Sequence, residues 1–261
     1  MAGFIDIACN FTHPSFKETL HQVLQDAEKV DVRKFVLLAA SLDDLDPIQK
    51  IKSIDPSKFF VTAGIHPHHA NEILGLAGLP LIDKLKAIHP DAIGETGLDY
   101  FRNISPPAVQ RDSFTMHIEI AKELKKPLYL HQRDSHDDFI KILKTNLTSL
   151  PKFVVHCFTG SQKQLDDYLA LGAYIGLTGW ICDEKRNKDL RASIKNIPLD
   201  RLMLETDSPY LLPKNLPNKP TKNINEPKYL PHIANEISQL MKISMQDLQN
   251  ATSKNTEFFF S

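Results

Sequence analysis

The stretch Ala92-Ile93-Gly94-Glu95-Thr96, the segment 109–124 behind it and the run Pro127-Leu128-Tyr129-Leu130-His131 decide how this chain folds. The two outer pieces are short apolar runs, while the middle piece is amphipathic at the helical period. Strand, helix, strand is the pattern of a parallel βαβ unit, because a parallel neighbour can be reached only by a long crossover. Working outward, the same alternation continues toward both ends. Strands are expected at 4–9, 34–40, 59–65, 92–96, 127–131, 153–157, 173–177 and 202–205, with amphipathic segments such as 16–29, 109–124, 138–147 and 164–171 between them. Ser105-Pro106-Pro107 and Ser161 carry the chemistry of helix starts. Eight such repeats close into a (β/α)8 TIM-type barrel, an α/β fold. An open doubly wound sheet competes, but no glycine-rich phosphate fingerprint follows the first strand.

A length of 261 residues suits one barrel, and no low-complexity linker interrupts it, so 1–261 is expected to be a single domain. The segment 209–227, rich in Pro, Asn and Lys, reads as a long ordered loop after the last strand. Hydrophobic residues at 42% and charged residues at 24% describe a soluble globular protein with enough apolar material for a large core. The formal net charge of −1 excludes a global positive field that would gather polyanions. Any phosphate binding must then come from a local basic patch or from a bound cation. Cys9, Cys157 and Cys182 are too few and too scattered for a disulfide framework or a thiolate zinc site, and they fit a reducing compartment. The opening residues lack a basic region followed by an apolar one, and no run of 18 apolar residues occurs. A cytoplasmic protein without membrane contact is the expectation.

The chemistry lies where acids and histidines fall. Glu95 closes the expected fourth strand, His131 the fifth and His156 the sixth, while Asp207 follows the eighth. The C-terminal ends of barrel strands converge on one face, where active sites sit. Residues far apart in sequence would therefore meet as two imidazoles and two carboxylates. A lone His or Glu at a strand end is usually a polar cap, but four together are costly to bury without a cation. A divalent metal removes that cost and acidifies bound water. The mixed nitrogen and oxygen donors suit Mn, Fe, Zn or Mg without choosing among them.

Five segments resemble, in order and spacing, the motifs of TatD-related hydrolases: Gly64-Ile65-His66-Pro67-His68, Ile93-Gly94-Glu95-Thr96-Gly97-Leu98-Asp99, His131-Gln132-Arg133-Asp134, His156-Cys157-Phe158-Thr159-Gly160 and Leu204-Glu205-Thr206-Asp207-Ser208-Pro209-Tyr210. The likeness runs from the first strand to the C-terminal helix. It implies a TIM-type barrel and Mg2+- or Mn2+-dependent cleavage of DNA phosphodiesters, with 3′-to-5′ exonuclease action on single strands in the nearest branch. By that resemblance Glu95, His131 and His156 are metal ligands, and Asp207 is a further ligand or the general base. Zn2+ stays an alternative metal and RNA an alternative strand. Many relatives carry a His-x-His pair at the end of strand 1, where this chain has Ala8 and Asn10. The Asn10 amide oxygen offers at most a weak ligand to a hard cation.

Other residues have supporting parts. His66, at the end of strand 3, could meet a phosphate or leaving oxygen, and Arg133 could clamp a phosphate bidentately or pair with Asp134 or Asp137. His68 and His69 are expected to face solvent. Tyr100, Phe101 and Arg102 could stack bases or pack the barrel rim, and Lys214, Lys219, Lys222 and Lys228 could supply a local basic patch. A monomeric, metal-dependent deoxyribonuclease is the expectation. A small-molecule amidohydrolase on the same barrel is the rival, since fold does not fix substrate. A non-catalytic partner protein is the second rival, and neither an anchor nor a heptad run supports it.

Overall fold

The computed structural model describes residues 3–76 and 81–261; Met1 and Ala2, at the head of the leader reading above, lie outside them. Eight parallel strands pair in chain order: β1 (Phe4–Cys9), β2 (Val32–Leu37), β3 (Phe59–Ala63), β4 (Ala92–Asp99), β5 (Leu128–Arg133), β6 (Phe153–Val155), β7 (Tyr174–Leu177) and β8 (Leu202–Leu204). The seam between β8 and β1 is joined by a parallel bridge from Cys9 to Ser208, where Asn10 N–H donates to Ser208 O at 2.9 Å. The TIM-type barrel expected from the alternation is the fold observed. The helices are α1 (Leu20–Lys29), α2 (Leu45–Lys52), α3 (Leu81–Lys86), α4 (Pro107–Leu124), α5 (His136–Thr145), α6 (Gln162–Ala170), α7 (Lys188–Ser193), α8 (Leu230–Met241) and α9 (Met245–Phe260). Among the described residues none is long and apolar enough to cross a membrane.

Local chemistry sets the boundaries. Pro107 opens α4, where its missing N–H is one of the groups a helix start leaves unpaired anyway. Ser161 and Gln164 form a reciprocal capping box at the start of α6. Lys125 closes α4 in the left-handed region at φ 54°. Two apolar layers result. The larger one, including Phe35, Phe114, Phe139 and Leu177, lies between strands and helices. The smaller one, including Ile7, Val36, Tyr129, Tyr174 and Met203, fills the barrel and is plugged by Phe259 and Phe260 at the end of α9. Phe260 stacks on Phe60 at 5.2 Å, and Phe259 meets Tyr174 edge-on at 5.4 Å. With that plug in place, the strands' C-terminal ends are free to carry the polar residues. The residues 209–226 that follow β8 contain neither helix nor strand, as expected of a long loop.

Candidate metal centre

Glu95 does not end its strand. β4 runs four residues further, to Asp99, and its register with β5 breaks between Ile93 and Thr96. Gly94 and Gly97 lie at φ 145° and 138°, where a side chain is strained, and a Cβ on either would collide with the carbonyl of Tyr129 or His131. Bare glycines therefore let β4 press against β5, which brings Glu95 to the His131 and His156 rings. Glu95 Oε1 lies 2.7 Å from His156 Nε2, 2.9 Å from His131 Nδ1 and 3.4 Å from His66 Nε2. The two ring nitrogens of His131 and His156 are themselves 3.3 Å apart.

Such a cluster fits a divalent ion. Ligand atoms of His66, Glu95 and His131 all lie within 4.8 Å of one another. On the far side of the rings, His131 Nε2 and His156 Nδ1 are buried without a hydrogen-bond partner. They stand 3.5 Å from Asp99 Oδ2 and 3.4 Å from Glu205 Oε2, too long to be made bonds but placed as outer carboxylates that steer a ligand ring. Burial opposes ionisation of Glu95, yet His156, His66 and His131 outweigh it and hold its carboxyl well below the usual range. Burial also opposes the charged form of His156, but Glu95 and Glu205 overcome it and push its pKa well above normal. His131 is raised as well, because the Asp99 and Glu95 carboxylates beside its ring overcome burial. His66, with burial dominant, is held well below normal and stays a neutral donor. A cation can take the place of the protons that this arrangement otherwise holds.

Asp207 lines the same cavity from the far side of the barrel. Its backbone is left-handed at φ 57°, and burial, helped by Glu95 and Glu205, pushes its carboxyl up to about 7 against His156 and Asn10. Asn10 donates to it from just past the end of β1. Behind it, Asp6 accepts from Thr206 N–H at 2.9 Å and from Thr206 Oγ1 at 2.6 Å, which pins the β8 end. The Ala8 side of the same strand is packed inside the barrel.

The cavity measures 650 Å³ and opens at the strands' C-terminal face. Arg133 lies on its wall with its guanidinium 3.9 Å from the Phe101 ring centre. Among the described residues Arg133 forms no ion pair, so the Asp134 or Asp137 pairing does not occur. His68 is not a solvent-facing residue: its Nε2 bonds Asp99 Oδ2 at 2.7 Å because the 3-10 turn after His66 folds it back over the site. His69 is exposed, as expected. Tyr100 bonds Asp138 and accepts from Arg111, so it belongs to the rim packing, while Phe101 is open to solvent. Lys228 is engaged with Glu226 at 2.6 Å, whereas Lys214, Lys219 and Lys222 are exposed.

Sequence reasoning missed three participants. Asp99 and Glu205 were quoted within motifs but given no part, and Asn10 was taken for a weak metal ligand. For Asp99 and Glu205 the signal is an acid four or two residues from a proposed ligand. Which ring each would face required the fold.

A parallel barrel with a buried His/Glu cluster at the strands' C-terminal ends is the architecture of a metal-dependent hydrolase. A family model described as TatD related DNase matches residues 5–261. The 3′-5′ ssDNA/RNA exonuclease TatD of Yersinia pseudotuberculosis serotype O:3 is 40% identical over 255 residues, 98% of each chain. That of Edwardsiella piscicida is 38% identical over 256 residues, again 98% of each. Among solved structures, a TatD-family hydrolase from Entamoeba histolytica superposes with a TM-score of 0.87 at 27% identity, covering 98% of this chain and 97% of that one. The TatD homologue YJJV of Escherichia coli K12 gives 0.85 at 26% identity with the same coverage. The chain belongs to the TatD-related DNase family, whose hydrolases are metal-dependent nucleases.

Proposed function

We propose that this chain is a divalent-metal-dependent exonuclease that removes nucleotides from the 3′ end of single-stranded DNA, with RNA as an alternative strand. The observation that carries the reading is the meeting of Glu95 Oε1 with ring nitrogens of His66, His131 and His156. The near full-length likeness to proteins named for that activity supports the substrate. Glu95, His131, His156 and Asp207 would hold the metal, for which Mg2+ or Mn2+ fits the hard carboxylates and Zn2+ fits the imidazoles. When bound, the ion supplies Lewis acidity toward a phosphoryl oxygen and a lowered pKa for water. Asp207, with its carboxyl near neutrality, takes the proton of the attacking water. His66 and Arg133 meet the phosphate oxygens, and Asp99 and Glu205 keep the imidazoles turned to their task.

The protein acts as a monomer in the cytoplasm, with 1–261 as one domain; three free cysteines suit that compartment. The test is a nuclease assay on end-labelled single strands, with EDTA and metal add-back. Stepwise loss of the 3′ label is expected, stopped by EDTA and restored by Mg2+ or Mn2+. Undiminished cleavage in EDTA, or release from the 5′ end, would refute the reading.

A further inference from the structure

Trp180 stands between two openings. On one side it lines the 650 Å³ cavity that holds Glu95, His131 and Asp207. On the other it lines a 240 Å³ groove together with Arg186, Lys214 and Asn223. The two openings share Trp180 and Leu211, so they join at the indole. The groove lies between the loop after β7 and the loop after β8. Gly179 makes that junction tight, because a Cβ there would stand 3.1 Å from Pro213 Cγ.

The chemistry of this groove is specific. The Arg186 guanidinium lies 5.5 Å from the Trp180 ring centre and is paired with Asp183 at 2.9 Å. Lys214 is exposed and has no ion pair among the described residues. The indole N–H finds no acceptor among them either. An aromatic face flanked by cations, running away from a phosphodiesterase centre, matches one nucleotide: a base has a π-face to stack and a phosphate to pair. A protein with net charge −1 gains little from long-range attraction, so short-range contacts of this kind must hold the strand.

We propose that the groove is a nucleotide subsite for the single-stranded substrate, in which Trp180 stacks a base next to the scissile position and Lys214, with Arg186, holds the adjoining phosphate. The proposal rests on the exonuclease reading above and adds the path of the strand.

Trp180 is the chain's sole tryptophan, so its fluorescence reports on the subsite directly. Intact protein in EDTA is titrated with thymidine oligonucleotides of two, four and six residues, and binding is followed in parallel by anisotropy of a labelled strand. Indole fluorescence should be quenched by each of the three strands as it binds. Trp180→Ala should weaken hexamer binding roughly ten- to a hundredfold, Trp180→Phe should restore most of it, and Lys214→Ala should weaken it without changing the thermal melt. In the presence of metal the same variants should raise KM on every strand more than they lower kcat. Normal anisotropy with unquenched fluorescence would overturn the subsite and leave the exonuclease reading standing. Absence of binding and cleavage for every strand would overturn both.

Discussion

Asn10 and Asp207, 197 positions apart, are joined by a 3.1 Å hydrogen bond from the Asn10 amide to Asp207 Oδ1 across the closing seam of the barrel. The same Nδ2 also reaches Ser208 O at 3.1 Å. Two acceptors on one atom settle which end of the amide is nitrogen. Asn10 therefore steadies Asp207 and does not present an oxygen to a cation on that side. The residue after β1 thus supplies a donor to the chain's own carboxylate.

Removing that donor should cost activity more than stability. Asn10→Ala is expected to lower kcat roughly tenfold with little change in KM, while destabilising the fold by about 1 kcal/mol, the typical worth of one hydrogen bond. Asn10→Asp should be worse, because a second carboxylate would face Asp207. Steady-state kinetics alongside thermal melts separate the two effects, and wild-type kcat in Asn10→Ala would show that Asp207 needs no brace.

Asp207→Asn keeps the shape and removes the proton acceptor. A missing general base costs ~10²–10⁴ in rate, so the variant should fold, bind strand and turn over slowly. Elemental analysis adds the discriminating result: metal lost with activity makes Asp207 chiefly a ligand. The carboxyl sits near 7 before a cation joins it. A bound cation lowers that value, so the wild-type rate should fall with acid on a limb below pH 7, and the Asn variant should lack that limb.

Metal uptake should be coupled to proton release. In the metal-free protein, Glu95 and its neighbours keep His156 and His131 protonated to higher pH than a free imidazole. Protons then compete with the ion, and apparent affinity rises with pH. Calorimetry in buffers of different ionisation enthalpy reads the proton count directly. One tight ion per chain is expected without substrate, because Ala8 and Asn10 contribute no imidazole; two tight ions would show that His66 completes a second shell. Glu95→Gln should abolish the tight site.

His117 contributes stability that acid removes. It is buried, accepts from Ile65 N–H at 3.0 Å and places Nδ1 2.7 Å from Ser113 O, so only the neutral ring satisfies both groups. Burial lowers its pKa to about 4 against the backbone bond to Ser113. The folded state thus binds fewer protons than the unfolded chain between pH 6.5 and 4. The contribution is complete above 6.5 and is lost as pH falls toward 4, amounting to about 3 kcal/mol. Urea melts across that range should show the decline, and His117→Gln should flatten it. An identical slope in the variant would place the titration elsewhere.

Arg133, held against Phe101 on the cavity wall, carries the phosphate-binding part proposed above. Arg133→Ala should weaken strand binding evenly across sequences and reduce the slope of log affinity against log salt by about one. An unchanged slope would route the strand away from that wall.

The sequence by itself determined the order of elements, the barrel and the identity of the central ligand candidates. β1 is read to the residue, and Glu95, His131 and His156 meet because parallel strands put their ends on one face. That much follows from short-range pattern: apolar period reports which side of an element is buried, and chain direction reports which end is which. Register, approach distance and loop shape are decided by packing across the whole barrel. The glycines at 94 and 97 let β4 continue past Glu95 to Asp99, the turn after β3 swings His68 onto Asp99, and closure of β8 on β1 turns the Asn10 amide to Asp207. Those contacts join residues between 31 and 197 positions apart, and their geometry exists only once the strands between them have paired and twisted.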